Sequence, residues 1–267
     1  MDHLINGLKV FIEGNSKNQA IIFVHGFPYD HTMWNNQIEV LKENYYCISY
    51  DIRGLGKSYV GDGQYTMEAF VWDLFSVMDE LHIEKPILCG LSMGGYISLR
   101  AIEKEQSRFA GLILCDSRSE ADNNDGKIVR STAIDKINVQ GVEAFISEFV
   151  PKCFHPKTPE RLNEMYESVL ELTKNQNSVG VKGSLLAMIS RRDTTDSLKK
   201  IKIPALVLVG KKDALTPPEI MEKISKKIKK SKFYIVPKAG HMSPLENPKF
   251  VNEKIEEFMR KNFISEN

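Results

Sequence analysis

Residues 86–100 read PILCGLSMGGYISLR, and this stretch decides the fold. The apolar run PILC leads directly into Gly90-Leu91-Ser92-Met93-Gly94, and helical periodicity follows from Gly94 to Glu105. A sharp strand-to-helix turn strains the backbone, and only small residues two positions before and after the serine avoid a clash. Gly90 and Gly94 occupy those positions. The stretch therefore predicts a turn that presents the Ser92 hydroxyl at a sheet edge; the alternative is a glycine-rich turn with an incidental serine.

Short apolar runs alternate with amphipathic segments along most of the chain. Runs such as IIFVHG and ALVLVG lack period-2 alternation, which favours strands covered on both faces. Asn6-Gly7 between two short β-like runs predicts an N-terminal hairpin. The predicted fold class is therefore α/β, with a mostly parallel, doubly wound sheet. The predicted strands are 20–24, 46–50, 86–89, 110–115, 204–209 and 233–236, and the predicted helices are 33–42, 67–81, 94–105, 218–229 and 248–261.

The alternation stops between about residues 119 and 197, where helical patterns such as VEAFISEFV occur without a convincing strand. Because the chain then returns to the same sheet, this stretch is predicted to be a helical lid (cap) insert rather than a second domain. Residues 1–118 and 198–267 would form the core. We expect the 119–197 insert to cover the carboxyl ends of the strands, where α/β sheets bind ligands.

A serine hydroxyl is a weak nucleophile unless a nearby base takes its proton. Among the six histidines, His241 stands out because its loop, AGHMSPLENP, follows a predicted strand and precedes the final helix. His25, which precedes Gly26, is the alternative base. The remaining four are expected to be surface or packing residues: His3, His31, His82 and His155.

The base needs a carboxylate that fixes its tautomer and stabilises the imidazolium. Asp213, in ALVLVGKKDALTPPE, directly follows a predicted strand and precedes a helix that begins with proline. Asp116 and Glu120, after the preceding strand, are the alternative acids. The backbone N–H of Met93, next to the nucleophile, is a predicted donor to the oxyanion of an acyl-transfer intermediate.

Several motifs together resemble the α/β-hydrolase family along nearly the whole chain. They are HGFP at 25–28, DIRGLGKS at 51–58, GLSMGG at 90–95, GKKD at 210–213 and AGHMSPLENP at 239–248. The chain order Ser92, Asp213, His241 is that of the family's catalytic triads. The resemblance implies that the N–H groups of Phe27 and Met93 form the oxyanion hole, and that the 51–58 turn is structural.

Within the family, the chain is most similar to 3-oxoadipate enol-lactonases, small aryl esterases and cofactor-free perhydrolases. A serine at the turn argues against dehalogenases and epoxide hydrolases, which carry an aspartate there. The expected function is hydrolysis of a small carboxylic ester or lactone through an acyl-serine intermediate. Hydrolysis of a carbon–carbon bond in a diketone-type substrate, and ligand binding by a signalling protein on the same fold, remain alternatives.

Composition narrows the range of partners. The 267 residues carry a net charge of +1, so no overall field favours nucleic acid or an anionic membrane. The four cysteines lack metal-type spacing, and no dinucleotide fingerprint appears, so neither a metal nor an organic cofactor is expected. Without a signal-like N-terminus or a membrane-length apolar stretch, the protein is predicted to be cytoplasmic. Monomer and homodimer both stay open.

Overall fold

The computed structural model describes residues 2–61 and 63–263, and an eight-stranded sheet runs through it. The strands are β1 Asp2–Ile5, β2 Leu8–Glu13, β3 Ala20–Val24, β4 Tyr46–Tyr50, β5 Ile87–Leu91, β6 Gly111–Cys115, β7 Ala205–Gly210 and β8 Ser231–Val236. Their order in the sheet is β1-β2-β4-β3-β5-β6-β7-β8. The β1–β2 hairpin and the β2–β4 pair are antiparallel, whereas all the other pairs are parallel. The predicted fold class is confirmed, including the hairpin.

The helices of the described residues lie before, between and after these strands. They are α1 Asn35–Leu41, α2 Met67–Glu80, α3 Met93–Glu105, α4 Asn124–Gln140, α5 Val142–Phe149, α6 Thr158–Arg161, α7 Asn163–Lys174, α8 Ser178–Ile189, α9 Pro218–Lys227, α10 Ser243–Glu246 and α11 Pro248–Phe263. The single helix predicted over 33–42 is wrong in its first part. The Asp30 side chain accepts the N–H of Thr32 and starts a 3₁₀ turn, His31–Trp34, before α1 begins.

The core lies on both faces of the central strands. Every residue of β3, β5, β6 and β7 is buried, and successive side chains in a strand point to opposite faces. Helices must therefore cover both faces, which explains why these strands read as continuous apolar runs. All four cysteines are buried free thiols.

The five helices α4 to α8 lie between β6 and β7. This segment leaves and rejoins the sheet at one place, since the Thr194 N–H donates to the Ser119 carbonyl at 2.9 Å. The hydroxyls of Ser119 and Thr195 are also 2.9 Å apart. No helix formed by the described residues is long and apolar enough to cross a membrane.

Candidate active site

Ser92 occupies the turn between β5 and α3 with φ of 52° and ψ of −113°. An L-residue seldom adopts this positive φ, and here the surrounding packing imposes it. A Cβ on Gly90 would lie 2.4 Å from the Gly94 carbonyl oxygen, and one on Gly94 would lie 2.1 Å from that of Val24. Both glycines are therefore required by close backbone approach, as the motif predicts.

His241 lies in the loop between β8 and α10 and is buried. Its backbone N–H donates to the Cys153 carbonyl at 2.8 Å, which fixes the loop against the 119–197 segment. The imidazole Nδ1 is 2.8 Å from Asp213 Oδ2. Since a carboxylate can only accept, Nδ1 carries the proton in the neutral ring and Nε2 is left as a base.

Asp213 follows β7 in a tight turn that supplies its other hydrogen bonds. Oδ1 accepts the N–H groups of Leu215 at 2.8 Å and Thr216 at 2.9 Å, and Oδ2 accepts the Thr216 hydroxyl at 2.5 Å. Burial alone would raise the pKa of Asp213, but the charge and hydrogen bond of His241, with those of Thr216, lower it to about 2. The acid beside His241 is thus held ionised.

Ser92 and His241 line one cavity of about 230 Å³. No hydrogen bond joins their side chains in the part of the chain that is described, a common state of unliganded sites that tighten around substrate. The structure brings the predicted nucleophile and base to the same cavity, with the predicted acid behind the base. The lining residues are Phe27, Ser92, Tyr96, Arg118, Asp122, Gly126, Val129, Arg130, Phe149, Met188, Leu215, Thr216 and His241.

The two predicted oxyanion donors lie beside this serine. Met93 is the first residue of α3, so its N–H points out of the helix end without an intrahelical acceptor. Phe27 lines the cavity. Within residues 2–61 and 63–263, neither amide donates a hydrogen bond, so both remain available to a ligand.

The alternative base and acids are engaged elsewhere. His25 Nδ1 is 2.8 Å from the Gly26 carbonyl oxygen, and His25 Nε2 accepts the Ile52 N–H at 2.9 Å. Burial also lowers the pKa of His25, which keeps the ring neutral. Asp116 accepts the Gly210 N–H at 2.7 Å and the Ser243 hydroxyl, and its pKa is raised by burial and then by Asp213.

Glu120, the remaining alternative acid, has a buried Oε2 with no hydrogen-bond partner among the described residues. The hydrogen bonds of the His241 ring go to Asp213 and Thr216 instead. Of the three acids considered from the sequence, Asp213 alone contacts the imidazole in the described structure.

The 51–58 turn braces loops beside the site. Asp51 accepts the backbone N–H of His31 at 2.9 Å and that of Lys57 at 2.8 Å, while Arg53 forms a two-pronged pair with Asp73 at 2.6 Å. Asp30, His31 and Asp51 bring three potential metal-ligand atoms within 4.8 Å of one another. Hydrogen bonds within the protein already engage one side-chain atom of each residue, namely His31 Nδ1, Asp51 Oδ1 and Asp30 Oδ1.

Sequence reasoning missed several polar residues of the site, including Thr216 and Arg118. Thr216 bridges the acid and the base, because its hydroxyl is also 3.2 Å from His241 Nδ1. Its position three residues after Asp213 is a signal for a turn in which a side chain caps the backbone. Arg118 lines the cavity, and nothing in its sequence context distinguishes it from a surface arginine.

Residues 19–248 match the family described as alpha/beta hydrolase fold, so the chain belongs to that family. It is similar to a thermophilic esterase from Thermogutta terrifontis, solved with malate bound, at 34% identity and a TM-score of 0.92 over 99% of both chains. It is 27% identical to 3-oxoadipate enol-lactonase 1 of Acinetobacter baylyi over 91% of this chain and 90% of that protein. The enol-lactonase of Burkholderia xenovorans LB400 shares the fold, with a TM-score of 0.89 and 23% identity over 97% of this chain and 99% of that one.

Proposed function

We propose that this protein is a serine hydrolase that cleaves a small carboxylic ester or lactone through an acyl-Ser92 intermediate. The observation that carries the proposal is the cavity shared by Ser92 and His241, with the ionised Asp213 bonded to the far nitrogen of the imidazole. The similarity of this chain to a thermophilic esterase and to an enol-lactonase supports this class of substrate.

The chemistry proceeds in two halves. His241 Nε2 takes the proton of the Ser92 hydroxyl as its oxygen attacks the substrate carbonyl, and the imidazolium then protonates the leaving alcohol. In the second half, the same nitrogen takes a proton from water as the water oxygen attacks the acyl carbon. The imidazolium then returns this proton to the Ser92 oxygen as the acyl–Ser92 bond breaks, which releases the carboxylic acid. Asp213 stabilises the imidazolium in both halves.

The negative charge on the carbonyl oxygen needs donors in each tetrahedral intermediate. The free N–H groups of Phe27 and Met93 would supply them, one from the loop after β3 and the other from the N-terminal end of α3. Both are backbone groups held by rigid elements, so little reorganisation is needed when the charge develops.

We also propose that residues 119–197 act as a lid over a core formed by 1–118 and 198–267. Gly126 and Val129 of α4, Phe149 of α5 and Met188 of α8 supply much of the apolar wall facing Ser92. A volume of about 230 Å³ lies below the roughly 300–1,000 Å³ usual for drug-sized ligands, which favours a short substrate.

The direct test combines turnover with covalent labelling. The purified protein should hydrolyse p-nitrophenyl acetate and butyrate, and a fluorophosphonate should label Ser92, as read by peptide mass spectrometry. Ser92→Ala should fold normally, lose labelling and lower kcat by roughly 10⁴-fold or more.

Ser107→Ala, which alters an exposed serine in the 3₁₀ turn that follows α3, is the matched control and should keep both turnover and labelling. Labelling that persists in Ser92→Ala would show that another residue is the nucleophile. Tight binding of an ester without turnover would instead favour the ligand-binding alternative.

A further inference from the structure

Arg118 lies at the same sheet edge as the candidate nucleophile. β5 and β6 are parallel neighbours whose last residues, Leu91 and Cys115, are in register, so Ser92 and the residues after Cys115 emerge side by side. The Ser117 hydroxyl donates to the Ser92 carbonyl at 2.9 Å, which fastens the two connections together. The next residue, Arg118, then reaches the wall of the cavity.

The guanidinium of Arg118 is held in place but is not neutralised. Its Nη2 donates to the Leu215 carbonyl at 2.6 Å, and Leu215 also donates its own N–H to Asp213. The arginine is therefore fixed to the same turn that holds the acid. Within the described residues this is its one hydrogen bond, and it forms no ion pair with any of their carboxylates.

The other charges on this wall are already paired. Arg130 Nε lies 2.6 Å from Asp122 Oδ2, and Arg191 Nη2 lies 2.9 Å from Asp122 Oδ1. Asp122 thus shares its single negative charge between two arginines and contributes no net repulsion to an anion. Arg118 remains as a half-buried cation with unused donors, a state that costs desolvation energy unless an anion binds there.

We infer that Arg118 binds a free carboxylate of the substrate, so that the preferred substrate is a short ester or lactone carrying a second, ionised carboxyl group. This inference rests on the proposed hydrolase function. A guanidinium carries paired N–H donors that match a carboxylate in plane, and Arg118 lines the cavity that contains Ser92 while using Nη2 alone in its hydrogen bond to Leu215. The small cavity limits the spacer between the carboxylate and the scissile carbonyl to a few bonds.

The test compares matched charged and neutral esters. Monomethyl succinate and monomethyl glutarate carry a carboxylate, and methyl butyrate and methyl pentanoate are neutral substrates of similar length. In wild type, kcat/KM should be higher for the charged members. Arg118→Gln should lower kcat/KM for the charged esters by roughly 10- to 100-fold, the effect of losing a hydrogen-bonded charge, and change the neutral ones by less than about threefold.

Two further variants separate direct binding from other effects. Arg118→Lys keeps the charge but not the paired donors and should retain an intermediate preference. Arg130→Gln removes the same charge from the same cavity, but from a group already paired with Asp122, and should leave the charged-to-neutral ratio within about threefold of wild type.

The outcomes distinguish this inference from the proposed function. If Arg118→Gln lowers kcat/KM equally for charged and neutral esters, Arg118 braces the Asp213 turn and does not select substrate. An equal loss of preference in Arg130→Gln would make the effect a general one of charge, which also overturns the inference. If wild type cleaves none of the esters and Ser92 is not labelled, the hydrolase proposal itself fails.

Discussion

The ionised state of Asp213 depends on several donors acting against burial. The side chain lies out of contact with water, yet His241 and the hydroxyl and backbone N–H of Thr216 lower its pKa to about 2. Acidification from neutral pH therefore leaves Asp213 ionised until the pH approaches about 2. In the proposed mechanism, a loss of turnover at mildly acidic pH would therefore not come from protonation of Asp213.

Asp213→Asn should show how much the charge of Asp213 contributes to stability at each pH. Because the folded pKa lies below the unfolded value, the unfolded state binds more protons between about pH 4 and pH 2, and stability rises with pH in that window. Above about pH 5, the free energy of unfolding of the variant should be about 2 kcal/mol lower than that of wild type. This difference should shrink as the pH falls toward 2. Urea denaturation at pH 7, 4 and 3 measures it.

The control for this comparison is Asp79→Asn, which breaks a solvent-exposed pair with Arg108. Exposed pairs contribute at most about 1 kcal/mol, so its difference from wild type should be small at every pH. If the deficit of Asp213→Asn stayed constant from pH 7 to pH 3, the low pKa of Asp213 would be contradicted.

The residues of the candidate site were predictable from sequence only where the adjacent residues in the chain form a recognisable motif. Ser92 is flanked by Gly90 and Gly94. Asp213 and His241 each follow a strand that is clear from the sequence. Arg118 has no such marker, because its importance depends on a hydrogen bond to Leu215, 97 positions later in the chain. Tertiary partners of this kind leave no local pattern.

The β5–α3 junction illustrates how packing of elements sets residue identity. The start of α3 lies so close to the end of β3 that a Cβ at Gly94 would overlap the Val24 carbonyl and lie 2.8 Å from the carbonyl oxygen of His25. Both obstacles are backbone atoms of a fully buried strand end, so they cannot move aside as a flexible side chain would.

Gly94→Ala should therefore destabilise the protein by about 1–3 kcal/mol and reduce fluorophosphonate labelling of Ser92, because the turn must shift. Thermal or urea unfolding measures the first effect, and peptide mass spectrometry measures the second. Glu105→Ala, at an exposed position in the last turn of α3, should change stability by less than about 0.5 kcal/mol. If Gly94→Ala were as stable as wild type, the close approach of α3 to the end of β3 would be contradicted.

Helices with a strong apolar periodicity were predictable from sequence. Helices whose residues are set by close contact with another segment were not. In α9, Met221 and Ile224 are buried as their spacing predicts. α8 contains Gly180 and Gly183, which lower helix propensity by about 1 kcal/mol each. These glycines are needed because a Cβ at Gly180 would lie 1.7 Å from the Gly54 carbonyl oxygen, and one at Gly183 would overlap the Tyr65 ring.

The proposed lid is joined to the core through a narrow base. Arg191, after α8, donates to the Glu120 carbonyl and pairs with Asp122 at 2.9 Å, next to the hydrogen bond between Thr194 and Ser119. These contacts hold the two ends of the 119–197 segment together beside the strands β6 and β7. The apolar strand pattern of the sequence stops before this base and resumes after it, which is why we propose the lid boundaries there.

The fluctuations of α4 provide a test of the proposed lid. α4 buries one of its 17 residues, Ile137, whereas α3 buries nine of 13, so the amides of α4 should exchange with deuterium faster than those of α3. Gly126, Val129 and Arg130 line the cavity, and a fluorophosphonate group on Ser92 should therefore slow exchange in the 124–140 peptide by filling the space beneath it. Hydrogen exchange with mass spectrometry measures this, and Ser92→Ala treated with the same reagent should show no change. Equal exchange with and without the label would contradict the proposal that α4 is part of a lid over Ser92. A helix that covers the cavity should exchange more slowly when the cavity is filled.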